Sequence, residues 1–249
     1  MSDKNNNVLF LFSIGLNILC LLFAVFFIYR KGGISYIKSS ILNTGKDSNK
    51  SSWGINSYYK HKKSQFEILA KSNDSIIFLG DSLTDEGEWV ELLGNPNIKN
   101  RGISGDTTWR VFNRLDAIAQ TKPKKIFLMV GINDLVNEKK SIQEVLKGYK
   151  DILRELQIQT PQTEIFIQSI LPVNNDIQLF LQNNNDLVQF NLELQEIAKQ
   201  FNCQYIDIFS RLADSENQLD AKYTTDGVHL NGKAYLIWKE VVENYVAVQ

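Results

Sequence analysis

Only two histidines occur in the 249 residues, His61 and His229. The second stands in Asp226-Gly227-Val228-His229, three places after a carboxylate. Far upstream, Gly80-Asp81-Ser82 follows the apolar run Ile76-Ile77-Phe78-Leu79. A serine hydroxyl is a weak nucleophile until an adjacent base takes its proton, and an imidazole does this near neutrality. A carboxylate on the far ring nitrogen fixes the tautomer and stabilises the imidazolium. Acyl transfer also needs donors for a developing oxyanion. Asn133, in Gly131-Ile132-Asn133-Asp134, offers a side-chain amide. Gly105 offers a backbone N–H with no side chain to block approach, and Ser82 offers its own N–H. Each motif is commonplace alone: Gly-Asp-Ser is ordinarily a turn, and Asp-x-x-His a loop or helix start. Their joint occurrence points to Ser82 as nucleophile, His229 as base and Asp226 as its orienter. Ser82, Gly105 and Asn133 are then the oxyanion donors.

Such residues meet only if the chain positions them. Ile76–Leu79, Ile126–Val130, Glu164–Ile170 and Tyr205–Ile208 read as short buried strands, with a weaker one at Asn97–Asn100. Helical periods fall between them: Tyr58–Lys71, Thr107–Gln120, a run from Ser141, Asp186–Gln200 and Gly232–Tyr245. Ser141 with Glu144 three residues on is a capping-box pattern. Strands alternating with amphipathic helices imply a parallel sheet covered on both faces, with flavodoxin-like order the economical choice. The polar loops after the strands then gather at one edge of the sheet.

Composition narrows the partners. The net charge of −1 offers no basic field for a nucleic-acid backbone. Two histidines far apart and two isolated cysteines make no zinc site, no disulfide framework is implied, and no Walker-type loop occurs. No metal or other cofactor is expected. Residues 8–29 are apolar apart from Ser13, Gly15 and Asn17, about 22 residues, enough for a hydrocarbon core of roughly 30 Å. Tyr29-Arg30-Lys31 follows in place of a small-residue cleavage site, which favours an uncleaved single-pass anchor. Lys4 precedes the span and Arg30, Lys31 and Lys38 follow it, a charge bias toward a cytoplasmic domain. The expected organisation is a tail and anchor over 1–31, a linker over 32–52 and a catalytic domain over 53–249. Oligomeric state leaves no mark in the sequence.

The blocks FLGDSLTD, NRGISGDTT, VGINDL and DGVHLNGKAY stand in this order over roughly Tyr58 to Tyr245. In them the chain resembles the SGNH hydrolases, also called GDSL esterases or lipases. Within that family it is most similar to the acylhydrolases related to the catalytic subunits of platelet-activating-factor acetylhydrolase. The resemblance implies a three-layer α/β/α sandwich and a triad of Ser82, Asp226 and His229. It also implies an oxyanion hole of Ser82, Gly105 and Asn133. Thr84 stands where the α/β-hydrolase elbow has its second glycine, which separates the chain from that class.

The expected activity is hydrolysis of small acyl or acetyl esters, the substrate a small molecule or a glycan or lipid ester. One rival is acyl transfer by the same residues to another acceptor. A second is a non-enzymatic phosphate- or nucleotide-binding module with Gly102–Asp106 as an anion loop. Arg101, Val173 and Asn174 are candidate substrate contacts, with an ion pair to a surface acid the alternative for Arg101, and the tract Asn174–Asp186 is a candidate lid or a solvated loop. Trp89 and Trp109 read as helix packing. The basic cluster Lys60-His61-Lys62-Lys63 reads as a solvated helix face.

Overall fold

The computed structural model describes residues 15, 47–69, 72, 74–180 and 182–247. Of the expected anchor, only Gly15 falls among them; the remainder of 8–29 lies outside the described residues, as do 32–46 of the linker. No helix among the described residues is long and apolar enough to cross a membrane. Met1–Gly54 and Ile55–Gln249 form separate units.

The first helix, α1, covers Asp47–Ile68, so helix begins inside the expected linker. It leads to β1 (Ile76–Gly80), the four-residue helix α2 (Ser82–Asp85) and α3 (Trp89–Leu93). β2 (Ile98–Gly102) is followed by α4 (Thr108–Phe112) and α5 (Leu115–Ala119). β3 (Lys125–Met129) opens into α6 (Ile132–Val136) and α7 (Ile142–Gln159). The capping box at Ser141 and Glu144 is present in α7. β4 (Glu164–Gln168), α8 (Asn184–Gln200), β5 (Gln204–Ile206), α9 (Phe209–Leu212) and α10 (Gly232–Ala247) complete the order.

The five strands are all parallel, in the order β2-β1-β3-β4-β5. Successive side chains of a strand point to opposite faces, and both faces here are buried. Ile77 and Leu79 of β1, with Ile126 and Leu128 of β3, pack against α4, α5, α7 and α8. Ile76, Phe78, Phe127 and Phe166 face the other way, against Trp89 of α3 and Tyr235, Trp238 and Val242 of α10. Phe78, Phe127 and Phe166 stack in a row across the sheet, with centroids 4.8 and 4.6 Å apart. This is the expected three-layer α/β/α arrangement.

Two expectations need correction. The strand expected at Asn97–Asn100 runs on through Arg101 and Gly102. Helix expected over Thr107–Gln120 is broken at Asn113-Arg114. Arg114 is fully buried, and its guanidinium reaches Asp106 and the carbonyls of Gly80 and Arg101. A buried cation must be paired and hydrogen-bonded, and that demand outweighs the helical preference of the segment.

Candidate active site

In an open parallel sheet, ligands sit beyond the carboxyl ends of the strands, where the strand order reverses. That point here lies between β1 and β3, from which Ser82 and Asn133 follow directly. Ser82 is the first residue of α2, whose N-cap Asp81 accepts from Leu83 N–H at 3.1 Å. Gly80 is required because an added Cβ would collide with Met129 O and the Thr84 side chain.

His229 arrives from the loop before α10. Its Nε2 lies 3.1 Å from Ser82 Oγ, and its Nδ1 lies 2.7 Å from Asp226 Oδ2. The second Asp226 oxygen accepts from the backbone N–H groups of Val228 (3.0 Å) and His229 (2.8 Å). Burial alone would raise the Asp226 carboxyl; the His229 ring and these two N–H groups outweigh it and hold it at about 2. The loop is pinned from several sides. Thr224 Oγ1 accepts from Gly227 N–H at 2.9 Å, and Asn231 Oδ1 caps α10 through Lys233 N–H. Gly227, at φ +88°, gives its carbonyl to Asn174 N–H at 2.8 Å.

Around these groups lies a cavity of about 400 Å³. Ser82, Asn133, Asp226 and His229 share it with Ile132, Val136, Asn137, Leu179, Phe180 and Val228. Asn133 Nδ2 spends one proton on Asp106 O at 3.0 Å, and the other has no acceptor among the described residues. Gly105, at φ +79°, has its carbonyl held by Arg110 at 3.0 Å and sits one residue before the Asp106 carbonyl that Asn133 binds. It does not line the cavity itself. A larger cavity of about 560 Å³ lies beside β5 and α8, lined by Asn191, Tyr205, Asp207 and Phe209. It contains no serine–histidine pair, so the chemistry belongs to the smaller one.

The expected substrate contacts fall elsewhere. Arg101 is buried, its guanidinium 4.8 Å over the Phe66 ring and bonded to Asn100 O. Val173 is a fully buried core residue whose backbone is held by Asn184. Asn174 is spent on structure, donating to Leu219 O and accepting from Asp176 and Ile177 N–H. It opens a strap, residues 174–180, whose Phe180 ring lies against Gly227 and lines the cavity. Residues of the expected lid therefore form a fixed wall. Trp89 packs on Phe78 at 4.3 Å as expected, while Trp109 is exposed on α4.

Beneath the site Asp81 accepts from Leu83 N–H and Asp134 from Thr108 N–H, loop-backbone bonds that sequence reasoning expected, but it missed their burial and the Asp106–Arg114 pair. Asp81, Asp106 and Asp134 are all buried there. Asp134 is compensated by Thr108 and Lys140. Asp106 is paired with Arg114 at 2.8 Å, yet burial still raises it to about 6. Asp81, with burial as the main cause, is raised to about 7. Nothing in the local pattern marks Arg114, which sits among residues of helical period. Lys62 was also misread: it pairs with Asp85 at 2.7 Å, and Lys60 and His61 are the members of the basic cluster that fit a plain solvated face.

The model of the GDSL-like lipase/acylhydrolase family matches residues 78–237, and the chain belongs to that family. It is a hydrolase of the acylhydrolase type. Platelet-activating factor acetylhydrolase IB subunit alpha2 of Rattus norvegicus is 29% identical over 183 residues, 71% of this chain and 77% of that protein. A solved structure from Streptococcus pneumonia, described as a platelet activating factor, is 28% identical with a TM-score of 0.71, covering 79% of this chain and 95% of its own. An acetylxylan esterase from Geobacillus stearothermophilus shares the fold, with a TM-score of 0.54 at 19% identity, covering 72% and 97%.

Proposed function

We propose that this acylhydrolase is a serine esterase that works through an acyl-enzyme on Ser82. The observation that carries the reading is the unbroken relay from Ser82 Oγ to His229 Nε2 and from His229 Nδ1 to Asp226, opening on one cavity. Ser82 Oγ attacks the ester carbonyl carbon as His229 Nε2 takes its proton. The carbonyl oxygen becomes an oxyanion, received by the N–H groups of Ser82 and Gly105 and by Asn133 Nδ2. Collapse of this intermediate breaks the bond to the alcohol, which leaves with the proton from His229. Water, deprotonated by the same imidazole, then attacks the acyl-enzyme and releases the acid.

Hydrolysis is favoured over transfer to another acceptor because the triad is open to solvent: the His229 and Asp226 side chains are 39% and 44% exposed. The anion-loop reading is disfavoured by the use already made of the Gly102–Asp106 backbone. Ser104 N–H goes to Asp85, Asp106 N–H to Ile103 O and Gly102 N–H to Asn100. Small acyl or acetyl esters suit a cavity of this volume, and the named acetyl-ester activities of relatives support that class. We further propose that residues 8–29 tether the domain to a membrane, with the charge bias placing it on the cytoplasmic side.

The test is hydrolysis of a short-chain aryl acetate by purified variants. Ser82→Ala abolishes turnover with an unchanged circular dichroism spectrum. His229→Ala is comparably severe, and His61→Ala is close to wild type. Activity retained in Ser82→Ala, or an equal loss in both histidine variants, refutes the assignment.

A further inference from the structure

We propose that α1, which lies before the family-matched residues, is a clamp that sets the geometry of the active site through Asp85. The proposal rests on the esterase reading above and adds Tyr58 and Lys62 as positioning residues.

Asp85 ends the short helix that Ser82 begins, so its side chain reports the position of the nucleophile's helix. It is nearly buried, with 6% of the side chain exposed. One oxygen accepts from Ser104 N–H at 3.1 Å and from Ser104 Oγ at 3.0 Å. Ser104 precedes Gly105. Asp85 therefore joins the loop that carries the nucleophile to the loop that carries a proposed oxyanion donor. Those two loops follow different strands, and no other carboxylate among the described residues bridges them.

The charge on Asp85 is held from α1. Lys62 Nζ donates to Oδ1 at 2.7 Å and Tyr58 Oη to Oδ2 at 2.6 Å. Burial would raise this carboxyl; the Lys62 and Tyr58 bonds, joined by Ser104, lower it below the usual range. Three more residues of α1 are fastened to the same edge. Tyr59 Oη donates to Arg110 O at 3.0 Å, Lys63 Nζ to Asn113 O at 3.0 Å, and the Phe66 ring lies beneath the Arg101 guanidinium. Without Lys62 and Tyr58, Asp85 is a nearly buried carboxylate facing only Ser104. Such a group protonates or turns to water. Either response loosens Ser104 and Gly105 relative to Ser82.

A group that only stabilised the fold would change the fraction of folded enzyme and leave each folded molecule as fast as before. The experiment therefore reads rate per active site. Wild-type full-length chain, Lys62→Met, Tyr58→Phe, the double variant and Lys62→Arg are titrated with a fluorophosphonate that labels Ser82. Aryl acetate kcat and KM are then normalised to titrated sites, and circular dichroism melting is recorded in parallel. The double variant is expected to lose roughly 10- to 100-fold in kcat and in labelling rate, with KM little changed, since misplacement by about an ångström costs on that order. Lys62→Arg, which keeps charge and donors, retains most of the rate that Lys62→Met loses. Per-site rates equal to wild type in the double variant, or a Lys62→Arg rate as low as that of Lys62→Met, overturn the clamp. If the wild-type chain itself fails to react at Ser82, the esterase reading has failed instead.

Discussion

Replacing Asp226 by Asn probes the relay more sharply than removing it. One carboxylate oxygen is committed to two backbone donors, Val228 N–H at 3.0 Å and His229 N–H at 2.8 Å. An asparagine keeps those bonds only by placing its own oxygen there. Its NH₂ must then occupy the position 2.7 Å from His229 Nδ1. Flipping the amide would set NH₂ against two N–H groups and forfeit two hydrogen bonds, at about 1 kcal/mol each. That cost of about 2 kcal/mol holds the flipped form to a few per cent. The amide in place donates to Nδ1, so the ring proton moves to Nε2 and points at Ser82 Oγ across 3.1 Å. The base is then occupied and the imidazolium has lost its counter-charge. A loss of up to ~10⁴ in kcat is expected, as for triads of this kind, which is about 5 kcal/mol of barrier. KM should change little, and the melting temperature should fall only modestly, because the loop's backbone bonds survive while the part-exposed carboxylate's charge contribution is lost. Steady-state hydrolysis of an aryl acetate, normalised to labelled serine, is the assay. A variant within tenfold of wild type would show that Asp226 does not set the tautomer, and the relay would have to be abandoned. The carboxyl sits at about 2 in the native protein against 3.8 free. The stability it contributes is therefore present above about pH 4 and lost as pH falls through 2. Asp226 accounts for no rate change near neutrality.

Two further outcomes follow from the buried charges. Asp81 is raised by burial to about 7 from 3.8, so ionising it costs stability. This contribution favours the fold fully below about pH 3.8, and up to about 4 kcal/mol of it is lost as pH rises from there to about 7. Asp81→Asn keeps the acceptor for Leu83 N–H, so its urea midpoint should match wild type near pH 4 and exceed it at pH 8; an offset independent of pH would refute the buried-acid account. Arg114→Met strands Asp106 and two carbonyls in the interior and should cost about 3–5 kcal/mol in urea denaturation. Adding Asp106→Asn should recover part of this, and strictly additive losses would deny the pair its coupling.

The strands and helices were legible wherever pattern and packing demand the same thing. β1 and β3 are buried on both faces, which leaves a continuous apolar run, and α7 carries both a capping box and a clean 3.6-residue period. β2 was read short because it lies at the sheet edge, where Ile-Lys-Asn-Arg-Gly can stay polar. Asn100 there spends its amide on the carbonyls of Thr84, Asp85 and Gly87, a use that spacing does not reveal. The candidate triad was legible because one serine, one aspartate and one of two histidines stood in distinctive turns. The expected substrate contacts were less legible: Arg101 lies within β2, Val173 and Asn174 follow β4, and each faces protein instead of the cavity.

Chain order alone determined the alternation of strand and helix, and with it that the polar turns after parallel strands must share an edge. It also singled out His229, since no other histidine stands near an aspartate in a turn. Only the tertiary structure decided which charges are buried and which partner each one takes. Arg114 breaks a helix to reach Asp106, and Lys62 leaves a seemingly solvated face to meet Asp85. The reason is that pairing energy depends on distance and burial in three dimensions, and groups 23 residues apart in sequence carry no local sign that they will meet.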